Sequence, residues 1–134
     1  MTIALDIYML PINTLVTTVR RLRSETGCPW DRRQTPESLC RYLREEVAEL
    51  IEAIDNTDND NICEEIGDVF YILIMLAEIH AERGDFTFDH CLEEVNSKLI
   101  RRHPHVFEGT KIESEAELRR QWQKIKEEEK KRNH

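Results

Sequence analysis

Two consecutive segments, SLCRYLREEVAELIEAID (residues 38–55) and NICEEIGDVFYILIMLAEIH (residues 61–80), decide the fold of this chain. Apolar residues recur in both at spacings of three and four, which predicts two amphipathic helices. The connection between them, residues 56–61, is polar and short, so we expect the helices to be antiparallel neighbours. The predicted inward-facing stripes consist of Leu39, Leu43, Val47, Leu50, Ile51 and Ile54 in the first helix and Ile62, Ile66, Val69, Leu73 and Leu76 in the second.

Each of these helices carries an acidic pair at the edge of its apolar stripe, Glu46 with Glu49 and Glu65 with Asp68. Like charges at this spacing repel, and an unpaired carboxylate is costly to desolvate, so we expect a cation between the pairs. A site of carboxylate oxygens suits Mg²⁺, with Mn²⁺ as a substitute. Solvated glutamates on ordinary surface helices would give the same spacing, and that alternative stays open here. Asp68 argues against it, because Asp is a weak helix former and here follows Gly67.

The composition favours helices along the whole chain, with only four Gly and four Pro and with 34% charged residues. A length of 134 residues predicts one domain, 1–134. Within it, residues 1–10 form an N-terminal extension, and the charged residues 127–134 form a tail that frays. We therefore predict an all-α fold, a bundle of four to five helices.

Charge and hydropathy exclude several classes of protein. A net charge of −8 argues against a basic surface for nucleic-acid polymers. The apolar run 69–77 is too short to cross a bilayer, so we expect no membrane partner. No basic residue precedes Arg20 and no cleavable signal is present, which predicts a cytoplasmic protein. The four cysteines lack the spacing of a zinc site and are expected to be reduced.

Local signals place the ends of the helices. Pro11 lies at the first turn of a helix that should end near Thr26-Gly27. Thr35 is the expected N-cap of the first acidic helix, with Ser38 as the alternative, and Gly84 is expected to end the second.

Two further helices follow. One starts near Thr87 or Asp89 and ends before Pro104, and it should carry Leu92, Val95 and Leu99 inward. The last begins with a capping box at Ser114-Glu-Ala-Glu117 and has Leu118, Trp122 and Ile125 on one side.

The acidic residues form the pattern Glu45-Glu46-x-x-Glu49 followed by Glu65-x-x-Asp68. This pattern resembles the E-E-x-x-E…E-x-x-D signature of MazG-type nucleoside triphosphate pyrophosphohydrolases. Three further stretches are similar to the family in the same order: CPWD with QT (28–35), EIGD (65–68) and KLIRRHPHVF (98–107). Trp122 and Lys126 also resemble the family's C-terminal W-x-x-x-K element. The family's Q-T-H is Q-T-P here, at residues 34–36. The resemblance extends from about Ile12 to Lys126.

The resemblance implies Mg²⁺-dependent hydrolysis of nucleoside triphosphates to a monophosphate and pyrophosphate. In such a reaction the metal neutralises phosphate oxygens and lowers the pKa of a water that attacks phosphorus in line. The implied metal ligands are Glu46, Glu49, Glu65 and Asp68, and Glu45 or Glu46 would orient or deprotonate the water. The implied substrate-binding residues are Trp30, Asp31, Gln34, Lys98, Arg102, Trp122 and Lys126. Lys98 and Arg102 would also act in catalysis by holding the departing phosphates.

The second acidic helix is apolar on more than one side, which predicts a homodimer or a dimer of dimers. The family's subunits also pair through such helices. Two alternative functions stay open. One is a narrow pyrophosphatase for dUTP, dCTP or damaged nucleotides, and the other is a non-catalytic helical interaction module with the same fold.

Overall fold

The computed structural model describes residues 10–133, which form seven α-helices and no strand. The helices are α1 (Pro11–Leu22), α2 (Pro29–Arg33), α3 (Pro36–Asp55), α4 (Asn59–Glu82), α5 (Phe88–Arg102), α6 (Pro104–Phe107) and α7 (Glu115–Arg132). The all-α prediction is therefore confirmed. The five longer helices correspond to the predicted ones, whereas the sequence analysis does not predict the short helices α2 and α6. None of the helices in this range has both the length and the apolar character needed to span a membrane. The extension predicted for residues 1–10 lies almost wholly outside the described residues.

The chain divides into two compact units, the first ending at Phe88 and the second beginning at Asp89. In the first unit α3 and α1 both pack against α4. Only residues 56–58 separate α3 from α4, so these two helices are antiparallel neighbours. The prediction that residues 1–134 act as a single domain stays a prediction.

The core of the first unit lies mainly along the flank of α3 and α4 beside the predicted stripes, although Leu39 of those stripes is buried in it and Leu43 and Leu76 pack against it. Ala53, Ile72, Met75 and Ile79 share a flank with the acidic pairs and are 0–4% exposed. By contrast, five residues of the predicted stripes are 37–54% exposed: Val47, Ile51, Ile54, Ile66 and Leu73. The prediction was wrong for these five because both helices are apolar on two adjacent faces. Helical periodicity alone does not indicate which face the neighbouring helices cover.

Side-chain caps begin α3 and α7 as predicted. The Thr35 hydroxyl accepts from Ser38 N at 3.1 Å, and the Ser38 hydroxyl accepts from Thr35 N at 2.9 Å. At α7 the Ser114 hydroxyl accepts from Glu117 N at 3.2 Å. The return bond differs from that of a capping box, because the Glu117 carboxylate accepts from Glu113 N at 2.9 Å.

The first helix ends earlier than predicted, at Leu22 rather than near Thr26-Gly27. Cys28 N donates to Leu22 O at 2.8 Å, which folds residues 23–28 back across the end of the helix. A Cβ atom at Gly27 would lie 2.2 Å from the same carbonyl oxygen. This turn therefore requires glycine at residue 27.

The second unit exposes the apolar residues of α5. Leu92, Val95 and Leu99 are 36–49% exposed, so the prediction that they point inward was wrong. Within this unit two long helices leave part of each apolar face uncovered, and no residue from 89 to 133 is buried. Helix α7 continues to Arg132, so most of the predicted tail is helical. Its fraying in solution stays a prediction.

Candidate metal centre

Helices α3 and α4 bring three of the four predicted carboxylate ligands together. One oxygen each from Glu46, Glu49 and Glu65 lies within 4.8 Å of the others. Glu65 is buried, Glu46 is half-buried and Glu49 is exposed, so the cluster extends from the core to the surface. Asp68 lies one turn after Glu65 on α4 and is half-buried. Its oxygens fall outside the 4.8 Å group, but its charge helps to raise the pKa of Glu46.

The cluster has too few protein partners for its charge. Within the described residues, Glu46 Oε2 and Glu65 Oε2 are buried and have no hydrogen-bond partner. Burial and the neighbouring carboxylates of Glu46 and Glu49 together raise the pKa of Glu65 to about 7. Burial also raises the pKa of Glu46.

Another buried glutamate on α4 shows that this lack of partners is a local feature. Glu78 is 5% exposed, close to the 8% of Glu65. Its two oxygens accept from Arg20 Nε at 3.0 Å and Nη2 at 3.1 Å, whereas no residue from 10 to 133 supplies such a cation to Glu65. Orphaned buried oxygens in a native protein require an explanation, and a hard divalent cation supplies one. The donor set of the cluster therefore fits Mg²⁺ or Mn²⁺.

Glu45 lies outside the cluster. Its Oε1 accepts from Arg41 Nε at 3.1 Å on the exposed side of α3. Of the two glutamates predicted to orient water, Glu46 is the one whose side chain belongs to the carboxylate cluster.

The loop before α3 is held by buried polar contacts. Asp31 is 4% exposed, and its carboxylate accepts from the Tyr71 hydroxyl of α4. Arg23 Nη1 donates to the backbone oxygens of Asp31 and Gln34. Tyr71 and Arg23 were not predicted to organise this loop. No helical spacing signals them, because Tyr71 is 40 residues from Asp31, and Arg23 lies 8 and 11 residues before its acceptors, beyond the end of α1.

Gln34 and Trp30 are also engaged within the first unit. Gln34 Nε2 donates to Trp30 O at 2.9 Å, and Gln34 Oε1 accepts from Ser38 Oγ at 2.7 Å. The Trp30 and Tyr42 rings pack edge to face, with their centres 5.1 Å apart. Trp30 therefore packs on a residue of α3 that precedes Glu46 by one helical turn. Substrate contacts by Trp30, Asp31 and Gln34 stay predictions.

The remaining predicted site residues belong to the second unit. Lys126 Nζ lies 4.8 Å from the centre of the Trp122 ring, in a cation–π contact. Arg102 and Trp122 line a cleft of about 170 Å³ with His103 and Leu118. Lys98 is exposed one turn before Arg102. Arg102 is already bound to Glu129, a residue that the sequence analysis does not single out.

The all-helical fold and the carboxylate cluster on two antiparallel helices define a class, an all-α protein with a candidate divalent-metal centre. Residues 34–107 match the MazG nucleotide pyrophosphohydrolase domain. The chain belongs to this family, as the acidic signature predicts.

Similar proteins span most of this chain. The nucleoside triphosphate pyrophosphohydrolase/pyrophosphatase MazG of Thermotoga maritima is 49% identical over 116 residues, which are 87% of this chain and 44% of the relative. The nucleoside triphosphate pyrophosphohydrolase of Escherichia coli K12 is 38% identical over 122 residues, which are 90% of this chain and 46% of the relative. The chain therefore spans less than half the length of either relative. The crystal structure of a mazG-related protein from Thermotoga maritima superposes with a TM-score of 0.72 at 30% identity, covering 86% of this chain and 98% of that one.

Proposed function

We propose that this protein is a Mg²⁺-dependent hydrolase that converts a nucleoside triphosphate to a nucleoside monophosphate and pyrophosphate. The observation that carries the proposal is the carboxylate cluster with its two orphaned buried oxygens, in a chain of the MazG family. Glu46, Glu49 and Glu65 would hold the metal, and Asp68 would complete the set. The metal, when bound, neutralises phosphate oxygens and makes water more acidic. Mn²⁺ has the same preference for oxygen ligands and is the expected substitute.

The protein's own groups have separate roles in this proposal. Glu46 is favoured over Glu45 as the residue that orients the attacking water, because Glu45 is engaged by Arg41. Asp31 and Gln34 hold the loop that carries Trp30. The assignment of Lys98, Arg102, Trp122 and Lys126 to substrate binding rests on their match to the family's motifs.

The reaction type is tested by the bond that breaks. We expect purified protein with Mg²⁺ and a nucleoside triphosphate to release pyrophosphate, and ¹⁸O from labelled water to appear in the monophosphate. Release of orthophosphate and a nucleoside diphosphate would refute the reaction type. Label in the pyrophosphate would keep the reaction but move the attack to the β-phosphorus.

The choice of substrate is tested by a panel of nucleotides under the same assay. A house-cleaning role predicts a preference for non-standard or excess deoxynucleotides, and a narrow dUTP or dCTP pyrophosphatase predicts turnover of one base only. A non-catalytic module predicts no turnover with any nucleotide. The orphaned oxygens of Glu46 and Glu65 argue against such a module, since an inert protein gains nothing from them.

We further propose that the protein forms a homodimer through the exposed apolar stripes of α3 and α4. The exposed residues have the same i, i+4, i+7 spacing on both helices: Val47, Ile51 and Ile54 on α3 and Ile66, Phe70 and Leu73 on α4. Contiguous apolar faces of this kind are costly in a monomer. Sedimentation analysis of the wild type should give a dimer or a dimer of dimers. Ile51→Glu places a charge in the proposed interface and should shift the equilibrium towards monomer. An all-monomer wild type would refute the assembly. A cytoplasmic location stays a prediction.

A further inference from the structure

Two neighbouring arginines of α5 converge on one glutamate of α7. Arg101 Nε donates to Glu129 Oε1 at 2.8 Å. Arg102 Nε donates to the same oxygen at 3.3 Å, and Arg102 Nη2 donates to Glu129 Oε2 at 3.0 Å. The Glu129 and Arg102 side chains are only 15% and 17% exposed. This contact is therefore partly desolvated rather than a loose surface pair.

The convergence is unusual for adjacent helical residues. Side chains at i and i+1 point about 100° apart on a helix and do not face each other. Two guanidinium groups also repel each other. An anchoring carboxylate between Arg101 and Arg102 overcomes both effects, and Glu129 supplies it.

Glu129 leaves most of the arginine donors unused. A guanidinium group has five N–H donors. Glu129 accepts from one N–H donor of Arg101 and from two of Arg102. The remaining N–H donors of both arginines are not used by Glu129. Both arginines line a cavity of about 420 Å³ together with Lys98 and Arg132. Four cationic and two acidic side chains line this cavity, which favours an anion with several oxygens.

We propose that Glu129 is a positioning residue that fixes Arg101 and Arg102 as one phosphate-binding pair, and that Arg101 is a further contact to the phosphate chain. This inference rests on the proposed function and adds two residues to it. Glu129 holds the Nε sides of the two groups, and the remaining donors are available to phosphate oxygens. The same contacts would also be present if Glu129 competed with phosphate for the arginines. The two roles predict opposite effects when its charge is removed.

The test measures binding of inorganic tripolyphosphate in EDTA by titration calorimetry. Glu129→Gln should weaken binding on the order of tenfold, the loss expected for one well-positioned charged contact. Arg101→Gln should give a similar loss, and Glu129→Asp should restore part of it. Glu128→Gln is the matched control, because this exposed neighbour removes the same charge from α7, and it should bind like wild type. Equal or tighter binding by Glu129→Gln would overturn the proposal, as would a wild type that does not bind tripolyphosphate.

A second readout separates this inference from the proposed function. With a nucleoside triphosphate and Mg²⁺, Glu129→Gln should raise KM more than it lowers kcat. If wild type hydrolyses no nucleotide but the tripolyphosphate differences persist, the proposed function fails and the anion site stands. If hydrolysis occurs and KM and tripolyphosphate binding do not respond to Glu129→Gln, only the positioning role fails. Circular dichroism of each variant checks folding, and the Glu129→Asp variant keeps the test decisive if Glu129→Gln does not fold.

Discussion

Glu65 of the first unit and Glu129 of the second are both shielded glutamates, yet their pKa values move in opposite directions. Burial and two neighbouring carboxylates raise the pKa of Glu65 to about 7. Hydrogen bonds from Arg102 and Arg101 lower the pKa of Glu129 to about 2. Shielding from water is common to both, so the partner decides the sign of the shift.

The comparison separates two kinds of charged site. At Glu129 the protein supplies its own cations, and the contact is complete without a ligand. At Glu65 the protein gathers like charges and leaves buried oxygens without partners, an arrangement that costs stability unless a cation enters. The first kind of carboxylate positions its own arginine partners, and the second is typical of a carboxylate that itself binds something from outside.

Removing the carboxylates at the candidate metal centre should have the largest effect. Glu65→Gln or Glu49→Gln should lower pyrophosphate release by about 100-fold or more, because each removes a charge that would hold the metal. Excess EDTA should abolish turnover of wild type. The assay is steady-state pyrophosphate release, with circular dichroism to confirm the helical content.

Glu64→Gln is the control, because it removes the same charge one residue away from Glu65, outside the cluster, and it should keep nearly full activity. Full turnover in EDTA would contradict the site assignment.

Supplying the missing cation should stabilise the protein. A ligand that binds only the folded state adds about 2.7 kcal/mol to the free energy of unfolding at 100 times its Kd. We therefore expect the melting temperature to rise with Mg²⁺ in the millimolar range and to respond less in Glu65→Gln. A wild-type melting temperature indifferent to Mg²⁺, with and without a non-hydrolysable nucleotide, would favour the inert module.

Asp31 offers a third case, a carboxylate as buried as Glu65 but provided with a neutral donor. Tyr71→Phe removes the hydroxyl that donates to it and leaves the buried carboxylate short of a partner. We expect the free energy of unfolding to fall by about 1–3 kcal/mol in urea denaturation. Tyr42→Phe removes a tyrosine hydroxyl from another residue packed on the core and should cost less. Equal costs for the two variants would show that the Asp31 contact contributes little.

The sequence predicts the features that depend on neighbours along the chain. The caps at Thr35 and Ser114, the turn at Gly84 and the spacing of Glu46 and Glu49 are all set within one or two helical turns. Features that depend on distant partners are not predictable in this way. Periodicity does not reveal which apolar face of α4 is covered. Nor does it reveal that Glu129 reaches an arginine 27 residues away.

The smallest expected effect is the pH dependence of the Glu129 contact. The folded-state pKa of about 2 lies below the ordinary glutamate value of 4.5, so Glu129 binds protons more weakly in the folded state than in the unfolded state. The stability it contributes is therefore fully present above about pH 4.5 and is lost as the pH falls towards 2. The difference in unfolding free energy between wild type and Glu129→Gln should be constant from pH 7 to 5 and should shrink below pH 4.5.

Added salt should reduce this difference at pH 7, because Arg101 is 40% exposed and its ion pair with Glu129 is partly screened. Urea denaturation at several pH values measures the difference in unfolding free energy, with Glu128→Gln as the control for loss of the charge. A difference that grows as the pH falls would mean that the arginines do not stabilise the ionised carboxylate, and the contrast with Glu65 would not hold.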